Sequence, residues 1–172
     1  MAKREAAVIL YQNRETIRRA LRWVSALVIV SLAQDTVLSF ISAYGVSAML
    51  VPVLVAACGF FEDGLWGGIF GIFAGYFADM ANPGSTVMYT IAFTVIGFGA
   101  GMLSHYFVNR KFLPYVCVSA AALIVTALFQ MLRPLVFFGA KLPDTLWVMF
   151  VQLLLTMPWA LLLYPALRRA QH

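Results

Sequence analysis

Read for its apolar and polar positions, the chain is a series of long hydrophobic runs cut by short polar breaks. The runs cover about 22–44, 46–61, 65–80, 85–107, 112–138 and 145–167. The breaks hold turn and charge signals: Glu62-Asp63-Gly64, Asn82-Pro83-Gly84, Arg110-Lys111 and Lys141. Within the runs the apolar residues are not confined to one helical stripe, as expected of helices surrounded by lipid or by other helices. The pattern predicts an all-α membrane protein, a bundle of six transmembrane helices forming a single domain over residues 1–172. The second and third runs are short, roughly 24 Å each against a hydrocarbon core of about 30 Å. Such helices must stand upright, thin the bilayer, or be partly shielded by protein.

The third run, with the turn that follows it, is the most distinctive stretch: GLWGGIFGIFAGYFADMANPGST over 64–86. Gly67, Gly71 and Gly75 recur every four residues, with Gly64 and Gly68 beside them, so a helix here carries a nearly smooth strip. In water each glycine costs about 1 kcal/mol relative to alanine, whereas in lipid the backbone stays helical and the strip admits a neighbouring helix at close range. Asp79 continues the same four-residue step, and Pro83-Gly84 then forces a turn. The fourth run repeats the device with Gly97 and Gly101.

Composition supports the membrane reading. The chain of 172 residues is 63% hydrophobic and 11% charged, against roughly 25% charged in soluble domains. The net charge of +5 sits at the chain ends and in one loop, which speaks for membrane topology and against nucleic-acid binding. With six spans and the amino end inside, Lys3, Arg4, Arg14, Arg18, Arg19, Arg22, Arg110, Lys111, Arg168 and Arg169 are cytoplasmic and only Lys141 is outside. Both termini are therefore expected in the cytoplasm. Residues 1–21 form a basic preface, read either as the anchor of the first span or as a helix on an anionic surface, with Arg14, Arg18 and Arg22 in one stripe.

Ionisable and strongly polar groups inside apolar runs are functional candidates, because each costs at least about 2.5 kcal/mol at a span centre. Gln34, Asp35, Asp79, Gln130, Arg133 and Gln152 all fall in the outer half of their spans. An Arg133 pairing with Asp79 or Asp35, completed by the glutamines, would fix helix register or form a substrate pocket or ion path; snorkelling to the interface is the alternative. Glu62-Asp63 reads as a solvated loop, with a docking point for a cytoplasmic partner as the alternative, and Cys58 and Cys117 read as buried small hydrophobes. With His105 and the terminal His172 the only histidines, no metal spacing exists, and no hydrolase elbow, phosphate loop or nucleotide fingerprint appears. The sequence gives no reason to expect catalytic residues, a metal or a cofactor.

Gly71-x-x-x-Gly75-x-x-x-Asp79, then Pro83-Gly84, following a basic amino end, a first span with polar residues and a second opening at Val51-Pro52, resembles the rod shape-determining protein MreD family. The likeness covers most of the chain in length and span count. It departs locally, since the family often has Gly-Leu-Leu before the acid and this chain has Gly75-Tyr76-Phe77-Ala78-Asp79. From about residue 108 onward there is no motif to carry over. The resemblance implies a non-enzymatic scaffold of the bacterial elongation complex in the cytoplasmic (inner) membrane, supporting cell shape and lateral peptidoglycan synthesis. It implies binding to MreC, a single-span membrane protein, and through it to wall synthases. It also implies a fold similar to the S-components of energy-coupling-factor transporters, with Gly67, Gly71, Gly75, Asp79, Gly84, Gly97 and Gly101 as helix-packing or partner residues. An S-component that binds a vitamin-like molecule near the outer polar cluster is the alternative. A channel or proton-coupled transporter fits less well, since no internal repeat is visible.

Overall fold

The computed structural model describes residues 2–38, 48–81, 87–106, 112–139 and 142–169; the side chains of residues 2–13 and of some further helix positions, Arg133 and Asp144 among them, lie outside the described set. Six α-helices follow one another: α1 (Ala2–Ala33), extended by a π-helical turn (Gln34–Leu38), α2 (Val51–Phe61), α3 (Gly64–Ala81), α4 (Met88–Tyr106), α5 (Phe112–Phe138) and α6 (Leu142–Arg169). Among the described residues the secondary structure is helical, in line with the all-α expectation.

Among the described residues three helices are long and apolar enough to cross a membrane, through Met88–His105 of α4, Phe112–Leu132 of α5 and Thr145–Pro165 of α6. Large apolar side chains also stand exposed around the bundle, among them Val28, Ile29, Phe73, Phe77, Val95, Leu128 and Leu154. An outer surface this apolar suits lipid, not water, and points to a membrane protein.

The helix bounds differ from the sequence reading in two places. The basic preface and the first span are one element, since α1 runs unbroken through Arg22 to Ala33. In the second run the helix spans Val51–Phe61, and Ala48 to Leu50 before it are non-helical. Pro52 explains the late start: it lacks an N–H and is tolerated in the first turn, but not deeper. At eleven residues α2 is roughly 16 Å long, about half the thickness of a hydrocarbon core.

The explanation of this short helix is its position. Every residue of α2 is buried, packed by α1, α3, α4 and α5. Of the three ways a short span could be accommodated, shielding by protein is the one seen. A helix apolar on all sides belongs in a core, and α2 is that core.

Around it α3 and α4 run antiparallel in closest contact. Their approach is set by glycine: a Cβ on Gly71 would strike Phe93 O and C, one on Gly75 would strike Thr90 Cα, and one on Gly101 would strike Gly64 Cα. Gly59 of α2, Gly67 of α3 and Gly97 of α4 meet at one point, each blocking any added carbon on the next. The α5–α6 pair is joined differently, by rings at one end. Tyr115 and Tyr164 have centroids 5.1 Å apart, Phe61 lies 5.9 Å from Tyr115, and the Tyr115 hydroxyl donates to Ala160 O at 3.2 Å.

Candidate functional site

Several polar residues inside the bundle gather at the end where α2 and α4 begin and α3 finishes, whereas the buried Ser119 lies apart from them on α5, one turn from Tyr115. A helix start leaves backbone N–H groups without partners, and in lipid no water can satisfy them. Both helices begin on residues that cannot help: Leu50 precedes α2 and Val87 precedes α4, and neither side chain has an acceptor. Val87 also holds a φ of 56°, a left-handed conformation unusual for a β-branched residue. Each helix is capped instead by a side chain from another element.

For α4 that side chain is Asp79. Its carboxylate accepts from Tyr89 N at 3.1 Å, Thr90 N at 2.9 Å and the Thr90 hydroxyl at 2.7 Å. Charge favours the arrangement, because a carboxylate at a helix N-terminus meets the positive end of the helix dipole. For α2 the cap is Gln34, on the π-helical turn after α1, whose Oε1 accepts from Leu50 N at 2.8 Å and Val51 N at 3.4 Å. The preceding N–H, that of Met49, donates to the Thr156 hydroxyl of α6 at 3.2 Å, and Thr156 in turn donates to Gln152 O at 2.7 Å.

Gln130 of α5 links these groups. Its Nε2 donates to the Tyr89 hydroxyl at 3.3 Å and lies 3.0 Å from Met49 Sδ. Asp79, Gln130, Gln34 and the backbone of Gln152 thus belong to one connected region, reached through Tyr89 and the Met49–Val51 backbone. Asp35 is exposed and has no hydrogen-bond partner among the described residues. The Arg133 side chain, and with it the proposed pairing to Asp79 or Asp35, lies outside the described residues. So does Gly84.

Gly67, Gly71, Gly75, Gly97 and Gly101 all lie in the α3–α4 seam, within the chain's own packing. The strip is therefore filled by α4. Gly99, between the two seam glycines of α4, has nothing within 4 Å of an added Cβ and faces away. Gly59 was missed at sequence level; a lone glycine inside an otherwise continuous apolar run was its only signal.

The opposite end is organised around the two-residue α2–α3 loop. Glu62 accepts from Trp23 Nε1 at 3.1 Å and lies 3.7 Å from an Arg19 guanidinium nitrogen. Asp63 caps α3 through Gly64 N at 2.7 Å and meets His105 Nε2 at 3.1 Å. This loop, read from sequence as merely solvated, ties α1 to the start of α3 and α3 to the end of α4. Both Asp63 and His105 are exposed, so their pair contributes about 1 kcal/mol or less.

No family model, curated protein or solved structure matches the chain. What the site does is therefore argued from geometry. Among the described residues, no group of three or more metal-ligating side chains comes together. Gln34, Asp79 and Thr156 tie the starts of α2 and α4 to neighbouring elements.

Some further space lies between α5 and α6. A cavity of ≈ 250 Å³ is lined by Ala127, Gln130 and Met131 from one helix and by Val148, Met149 and Gln152 from the other.

Proposed function

We propose that the chain is a non-enzymatic membrane scaffold of the bacterial elongation complex, an MreD-like protein that binds an MreC-like single-span partner. In this reading it crosses the cytoplasmic membrane six times with both termini in the cytoplasm, and supports cell shape and lateral wall synthesis. The observation that carries the reading is the behaviour of the motif behind the resemblance. The glycines of Gly71-x-x-x-Gly75-x-x-x-Asp79 seat α4 against α3, and its acid caps α4. The motif works as one joint, and a rigid joint is what a scaffold requires.

Because α4 fills the glycine strip, the partner helix is received on an outward face. Wall synthases are reached through that partner. The test is to isolate the tagged chain from its native membrane in mild detergent and identify what accompanies it. A single-span protein with a large outer domain, together with wall synthases, is the expected result. A pair of ATPases with a membrane coupler would overturn the reading in favour of an S-component. The α5–α6 cavity favours that second reading only weakly, since pockets for small molecules usually hold about 300–1,000 Å³.

A further inference from the structure

The α5–α6 cavity has three features that together select an occupant. Its lining is mostly apolar and includes two methionines, whose flexible thioethers adapt to an irregular chain. Its mouth lies on the apolar outer surface: Val148, which lines it, is itself exposed, and Leu128, Leu132 and Phe150 stand exposed close by in sequence. In a bilayer such a mouth opens to lipid. Finally, two carboxamides line it. Gln130 is engaged with Tyr89 and Met49, whereas the Gln152 carboxamide, half-buried, has no hydrogen-bond partner among the described residues. A primary amide left unpaired beside hydrocarbon is unfavourable, so its place is explained by a ligand that accepts from it.

In a bilayer the medium at this mouth is hydrocarbon, so the molecule already against it is a lipid, and the cavity of ≈ 250 Å³ admits part of one acyl chain.

We propose that this cavity binds one acyl chain of a membrane glycerolipid, with the Gln152 amide donating to its ester carbonyl. The inference rests on the bilayer reading of the chain and not on the scaffold role. Gln130 borders the same space but is held by Tyr89, so Gln152 is the recognising group and Gln130 part of the wall.

The experiment uses the full chain reconstituted in liposomes, recovered in mild detergent and weighed intact by native mass spectrometry. The probes are dioleoyl phosphatidylglycerol and its dialkyl ether analogue, which lacks the ester carbonyls. The wild type is expected to retain one lipid and to prefer the ester form about fivefold, the value of one hydrogen bond. Gln152→Leu should erase the preference with helical content unchanged by circular dichroism. Met149→Trp, which fills the space, should abolish retention. Equal retention of ester and ether lipids by the wild type overturns the proposal, as does a retained mass that is not lipid. A chain that floats with liposomes yet carries no lipid overturns the cavity assignment alone; a chain that fails to float removes the bilayer reading with it.

Discussion

The two halves of this bundle are held together by different physics. In the α2–α3–α4 half, glycines let backbones touch, and at Gly59, Gly67 and Gly97 three helices share one point. In the α5–α6 half, contact is made by rings at one end and by the Tyr115–Ala160 hydrogen bond, with a cavity between the helices. Burial follows the same division. All of α2 is buried, whereas little of the Thr145–Pro165 stretch of α6 is fully buried. Lipid tails are as apolar as leucine, so burying leucines gives helices in a membrane little reason to associate. Close dispersion contact and satisfied polar groups are what remain. The first half has both at high density. The second has fewer close backbone contacts, and a cavity lies between its helices.

This contrast is open to direct attack by substitution, and Cys58 supplies a convenient reporter. It is buried in α2, whereas Cys117, expected from the sequence to be buried as well, is exposed on the outer side of α5. In a Cys117→Ser background, a thiol-reactive dye that labels Cys58 on heating reads the unfolding of the tight half. The largest effect is expected from Gly67→Leu, whose side chain would meet Gly97 O and Gly59 Cα with no room to yield. The predicted outcome is loss of folded protein, with Cys58 labelled at once. Protection equal to wild type would mean that the glycine crossing is not what joins the helices.

Asp79→Ala comes next. It removes the acceptor for two backbone N–H groups and one hydroxyl, and should cost about 3 kcal/mol, with Asp79→Asn recovering part of that. Both are measured as shifts in the labelling midpoint. Thr156→Val tests the weaker half. It deletes the bond from Met49 N to α6, and a loss of about 1 kcal/mol is expected. If it cost as much as Asp79→Ala, the division drawn between the halves would fail. Smallest of all should be Gly99→Ala. It lies in the same helix as Gly97 and Gly101 but touches nothing, so its change should stay within about 1 kcal/mol and toward greater stability, as helix propensity requires.

The Gly97–Gly99–Gly101 run shows what could be read from the chain alone and what could not. The four-residue spacing of Gly97 and Gly101, like that of Gly67, Gly71 and Gly75, marks a helix face, and the structure places all five in one seam. Asp79 could be singled out because a carboxylate in an apolar run is costly. Its contacts could not be foreseen, because they are main-chain N–H groups of α4, and every residue but proline offers one. The same holds for Gln34, whose acceptor serves the start of α2. Gly59 was hidden for a related reason. A single glycine has no periodicity, and only the meeting of three helices reveals why a side chain is forbidden there. The loop at Glu62-Asp63 misled in the other direction: two acids between helices resemble solvent-facing residues until Trp23, Arg19 and His105 are brought beside them.

The complete burial of α2 has a consequence for the order in which the chain is made. A helix of eleven residues, about half the thickness of a hydrocarbon core, does not settle stably across a membrane by itself. The surfaces that enclose it belong to α1, which precedes it, and to α3, α4 and α5, which follow. As synthesis proceeds, α2 leaves the ribosome before most of its surroundings exist. Gly97 and Phe93, against which the α2–α3 hairpin closes, arrive only when more than half of the chain has been translated. The middle of this protein is thus written early and completed late, and until α4 inserts, the nascent chain carries a core without walls.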